Sequence, residues 1–128
     1  MQCRGNYLRG VQVADDAGRM TFTSVSPGCY AGRWPHAHFE VYASFEDATA
    51  GTSAIETSQL ALPQADCETA YADPRYGDST QYLSRLSLDT DGIFADGWTD
   101  QLAVMSGSVA DGYTASLLVR VWEPRART

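Results

Sequence analysis

At 128 residues with 44% hydrophobic content, the chain is long enough for one compact domain with a real core and too short for two ordinary ones. Sixteen acidic residues against nine basic ones give a net charge of −7, and with no basic run anywhere, nucleic acid and anionic membranes are poor partners. All nine basic residues are arginine, which excludes Schiff-base or other catalytic lysine chemistry.

No window approaches the ~18 apolar residues of a membrane span, and the opening Met-Gln-Cys-Arg-Gly-Asn lacks the apolar centre of a signal peptide, so the chain as given is expected to be soluble. Residues 7–13 alternate in part, Asp15-Asp16-Ala17-Gly18 offers turn chemistry and residues 20–25 alternate again, which predicts a β-hairpin. Pro27-Gly28 ends its second strand. From His36 the run HAHFEVYA places β-forming residues at period two; after a small-residue loop around Gly51, residues 55–62 supply a further strand. A helical turn is expected around Cys67 to Tyr71, followed by a loop containing Pro74, while residues 81–88 fit strand and short helix equally well. Residues 101–109 and 113–122 form a hairpin across Ala110-Asp111-Gly112.

Short strands without helical crossovers predict a single all-β domain over residues 1–128, an antiparallel β-sandwich of about six to seven strands. The three cysteines, Cys3, Cys29 and Cys67, share no CxxC spacing, which speaks against a zinc or thioredoxin site. One disulfide plus one buried thiol is compatible with the count, with Cys3–Cys67 the favoured pair, as are three inert thiols.

The chemistry concentrates in Pro27 to Phe39. His36 and His38 are the only histidines. Two apart in a strand, they put both imidazoles on one face, which is either half of a metal site or a solvated polar face. The turn before them presents Tyr30 and Arg33. A phenol gives up its proton to a strong Lewis acid, so a tyrosine with two histidines favours ferric iron over zinc. The alternative for Tyr30 is an aromatic lid on the core. For Arg33 it is a turn cap or an ion pair with Glu40 or a distant carboxylate, and for Gln59 a hydrogen bond to backbone at a strand edge. Trp34, Phe39, Trp98 and Trp122 read as core or pocket wall.

The segment NYLRGVQVADDAGRMTFTSVSPGCYAGRWPHAHFEVY resembles the catalytic core of the intradiol ring-cleavage dioxygenases, the family of catechol and protocatechuate dioxygenases, in its actinobacterial, often secreted, branch. PGxY followed by RxxHxHF carries the resemblance; TSQLALP and DGYTASLLVRV extend it over nearly the whole chain. The resemblance implies a non-heme Fe(III) held by two tyrosines and two histidines, which cleaves a catecholic ring with dioxygen between its hydroxylated carbons to a muconic acid. By motif, His36 and His38 match the histidine ligands and Tyr30 the tyrosine displaced by substrate. Arg33 matches the arginine that stabilises charge on the ring, and Gln59 the glutamine that hydrogen-bonds in the same pocket.

The family's other tyrosine ligand lies upstream of the segment matched here. Tyr7 belongs to the hairpin and is not its counterpart, and Cys3 has no matching role. The expectation is a chain lacking the family's upstream strands, with an exposed sheet edge that would pair with a second copy or with an upstream fragment. The competing expectations are a non-catalytic binding module with a vestigial metal site, and a zinc hydrolase built on the two histidines with Glu40 two residues on. Export is suggested only by the branch resembled.

Overall fold

The computed structural model describes residues 8–121. The chain divides into two compact units, one made of Met1–Ser26, Glu40–Glu56 and Val121–Thr128, the other of Pro27–Phe39 and Thr57–Arg120.

In the first unit, Asp15 organises the expected turn. Its Oδ1 accepts the backbone N–H groups of Ala17 at 2.9 Å and Arg19 at 2.8 Å, and its own N–H donates to Arg19 O at 2.9 Å. The predicted strands on either side do not form among the described residues, which corrects the hairpin reading. Val13 is 73% exposed and Val25 60%. An alternating pattern makes a stable strand only when another layer covers its apolar face, because two strands alone do not offset the entropy of ordering them. A second difference lies in the predicted loop, where α1 (Phe45–Ala50) forms. Ser44 Oγ accepts the Asp47 N–H at 3.1 Å, Glu46 and Asp47 occupy the first turn, and Gly51 closes the helix at φ 68°. No residue of α1 is buried, so end chemistry rather than an apolar stripe holds it.

Strands β1 (His36–Val41) and β2 (Glu56–Ala61) pair with each other. Along β2 the buried positions are Gln59 and Ala61, at period two. Past the end of that pair, the Leu62 N–H donates to Pro35 O at 3.1 Å.

The second unit holds the core, in which Trp34 and Phe94 are 1% and 0% exposed. Burial of each contributes roughly 1.5–3 kcal/mol. Helix α2 (Gln64–Tyr71) turns Cys67, Ala70 and Tyr71 inward, the i, i+3, i+4 stripe of an amphipathic helix. Helix α3 (Ser79–Leu83) buries Ser79 and Leu83 and takes up the start of the ambiguous stretch, while residues 84–88 form neither strand nor helix. Strands β3 (Val104–Ser108) and β4 (Gly112–Ser116) form the expected second hairpin, antiparallel from Val104↔Ser116 to Ser108↔Gly112. The Asp111 N–H donates to Ser108 Oγ at 3.1 Å across its turn. Gly107 has φ 95° and lies so close to the Gly112 carbonyl that no side chain fits there.

The described residues thus contain four strands in two small antiparallel sheets with short helices, compatible with a mostly-β fold; they do not form a sandwich of six to seven strands. Cys67 and Cys29 are buried free thiols, and burial pushes Cys67 up to about 12. Cys3, the other half of the predicted disulfide, lies outside the described residues, as do Tyr7 and Trp122. Among the described residues no helix is long and apolar enough to cross a membrane.

Candidate metal centre

The chain from Pro27 to His38 is held by partners far away in sequence. Pro27 O accepts the Tyr71 hydroxyl at 2.8 Å. Ser79 Oγ accepts the Cys29 N–H at 3.0 Å and donates to Cys29 O at 3.3 Å. Gly28 is what lets that serine approach, since a β-carbon there would lie 3.1 Å from Ser79 Oγ. The Cys29 thiol points back along its own turn toward Tyr30 O at 3.7 Å and Arg33 O at 3.8 Å. Burial raises that thiol above its ordinary range, which keeps it an inert packing group.

Arg33 and Trp34 converge on Asp91, a residue the sequence presents only as part of a turn. Asp91 is 3% exposed. Its Oδ1 accepts Arg33 Nε at 3.0 Å and the Trp34 N–H at 2.7 Å, and its Oδ2 accepts the N–H groups of Ile93 at 2.9 Å and Phe94 at 3.2 Å. Burial alone would raise this carboxyl, but the Arg33 guanidinium and the three amides outweigh it and hold Asp91 at about 2. Arg33 Nη2 donates to Gln59 Oε1 at 2.6 Å, so the two residues the motif singles out are joined directly. The guanidinium also lies 5.9 Å from the centre of the Phe94 ring. Of the alternatives for Arg33, the distant carboxylate is realised, together with the contact to Gln59.

The two histidines share one face of β1, with ring centroids 4.9 Å apart at 72°. His36 Nδ1 lies 2.6 Å from Trp34 O. A carbonyl only accepts, so Nδ1 carries the proton and the lone pair of the neutral ring sits on Nε2. Desolvation lowers His36 below its ordinary range and the Trp34 carbonyl works against it, with smaller effects from Arg33 and His38, which lower it, and Asp91, which raises it. A neutral imidazole oriented by a backbone carbonyl through one nitrogen is what a metal-binding histidine needs. The Trp34 N–H is taken by Asp91 and its indole Nε1 donates to Leu62 O at 2.8 Å, so the carbonyl that orients His36 is itself fixed.

Tyr30 stands apart. Its side chain is 60% exposed, and among the described residues no hydrogen bond or ring contact joins its phenol to either histidine. Among the described residues no group of three or more His, Cys, Asp or Glu side chains is placed to hold a metal ion. Glu40, weighed as a hydrolase ligand, accepts the Tyr42 hydroxyl instead. The structure therefore brings together His36, His38, Arg33 and Gln59, adds Asp91, and leaves Tyr30 at the surface. The signal for Asp91 was weak: Asp-Thr-Asp-Gly reads as a turn, and nothing local says that its last carboxylate faces inward. Comparison of the chain with family models, with curated proteins and with solved structures finds no match.

Proposed function

We propose that the chain carries the histidine side of a non-heme ferric centre of the intradiol ring-cleavage type, acting on a catecholic compound and dioxygen, within the β-sandwich that this family implies. The observation that carries this reading is the adjacent pair His36 and His38, with His36 oriented by the Trp34 carbonyl, and the joined Arg33 and Gln59. The donor types match: two imidazoles, one of them oriented through Nδ1 with its Nε2 free, and in Tyr30 an accessible phenol of the kind a hard trivalent ion takes, which the structure leaves apart from the histidines. His36, His38 and Tyr30 would hold the ion, which would supply the Lewis acidity that activates a catechol toward dioxygen.

The residues of the chain do the rest. Tyr30, ionised only while it holds the ion, would take a proton from the incoming diol. Arg33 offers positive charge to a ring that gains electron density. Asp91 fixes its Nε and Gln59 its Nη2, so the guanidinium needs no reorganisation when that charge develops, a preorganisation worth ~3 kcal/mol by analogy with oxyanion holes. Gln59, 8% exposed, has its oxygen committed to Arg33, which leaves its N–H groups for the pocket.

The test is metal content by elemental analysis of protein purified without chelators, with a visible spectrum before and after catechol. Stoichiometric iron and a broad tyrosinate-to-iron band that shifts with catechol are expected, and Tyr30→Phe should remove that band and slow turnover. Unchanged colour and rate in that variant would sink the assignment of Tyr30. A second reading, a binding module with a vestigial site, is favoured by the exposure of Tyr30; colourless, metal-free protein would support it.

A further inference from the structure

Next to the histidines lies a cavity of about 310 Å³, at the lower end of the range that holds a small organic ligand. His38 and Gln59 line it together with Thr57, Ser58, Ile93, Asp96 and Gln101. A ring that engages His38 therefore has its substituent among these other groups. Their hydrogen-bonding capacity is partly spent. Gln101 Nε2 donates to Ser58 Oγ at 3.0 Å and to Gln59 O at 3.2 Å, and since that carbonyl only accepts, the amide orientation is fixed and Oε1 is what remains. Gln101 Oε1 and the Asp96 carboxylate accept, while the hydroxyls of Thr57 and Ser58 both give and take. Among the described residues Asp96 is the one carboxylate on the wall, and no arginine lines it. Arg33, joined to Gln59 and paired with Asp91 at 3.0 Å, is not among the residues that line the cavity.

From this wall we infer that the cavity selects catechols with a neutral, hydrogen-bond-donating substituent and discriminates against carboxylated ones, with Asp96 as the specificity-determining residue. The inference rests on the catechol-site reading above. A ring carboxylate would face a like charge on the cavity wall and find no cation there to pair with, whereas a hydroxymethyl group meets the Asp96 and Gln101 acceptors. Discrimination of about tenfold in binding is the scale for one like-charge contact near a surface.

The probes are catechol, 4-(hydroxymethyl)catechol and 3,4-dihydroxybenzoate, titrated into the iron-loaded full chain by calorimetry, so that affinity is read without turnover. The wild-type chain should bind the hydroxymethyl compound about tenfold more tightly than the carboxylate. Asp96→Asn should narrow that ratio to about twofold, and Asp96→Lys should invert it. Asp96 is exposed and its side chain makes no hydrogen bond among the described residues, so both variants should keep the fold, which a thermal melt verifies. Equal or tighter binding of the carboxylate by the wild-type chain, or a ratio indifferent to Asp96, overturns the inference while the catechol site stands. Binding of none of the three overturns both.

Discussion

Two stretches, residues 8–25 and 27–38, meet opposite fates. The first has the alternation of a hairpin, yet among the described residues its hydrogen bonds gather at the Asp15 turn and its large apolar side chains are exposed. The second has little regular structure before β1, yet Tyr71, Ser79, Asp91 and Leu62 each bind it across dozens of residues. Periodicity makes a segment competent for a strand, but satisfied backbone groups and a covering layer decide whether it becomes one.

The widest gap between the two stretches should appear at Asp91. Replacing it with alanine leaves the half-buried guanidinium of Arg33 and the amides of Trp34, Ile93 and Phe94 without their acceptor, for an expected loss of about 3–5 kcal/mol in urea denaturation. A loss under 1 kcal/mol would mean that water or other groups replace the carboxylate easily. The same residue sets a pH dependence. Its folded value of about 2 lies below the ~3.9 of an unfolded aspartate, so its contribution is fully present above about pH 4 and drains away as pH falls toward 2, by roughly 2 kcal/mol. Asp73 is also held at about 2 by its hydrogen bonds from Arg75, so the urea midpoint of the wild-type chain is best compared with that of Asp91→Asn, in which only the Asp91 part of the slope should vanish.

A smaller effect is expected where the PGCY turn meets α3. Ser79→Ala removes both hydrogen bonds to Cys29 and should cost about 1–2 kcal/mol. Gly28→Ala, which brings a β-carbon against Ser79 Oγ, should cost a similar amount, and combining the two substitutions should cost less than their sum because the alanine at 79 relieves the crowding. A double variant as costly as the sum would show that the glycine serves something other than close approach. The smallest effect belongs to the other stretch. Val13→Ser should change stability by no more than about 0.5 kcal/mol, and a cost above 1 kcal/mol would reveal a partner packed on residues 8–25.

The sequence by itself placed β1, β2, the β3–β4 hairpin and the helical turn at Cys67, because each has its own period and boundary residues. It also put His36 and His38 on one face, since a two-residue spacing in a strand leaves no other arrangement. The helix at Phe45–Ala50 was legible in principle from Ser44 and Gly51, but a helix that buries nothing carries no apolar stripe to draw the eye. The link from Arg33 to Gln59 was foreshadowed only by resemblance, and Asp91 not at all. These contacts join residues 26 and 58 positions apart. Local propensity has no term for such distances, so only the closing of the core around Trp34 and Phe94 could choose which carboxylate the arginine meets, which imidazole nitrogen is left for a metal, and which strand-like segment goes uncovered.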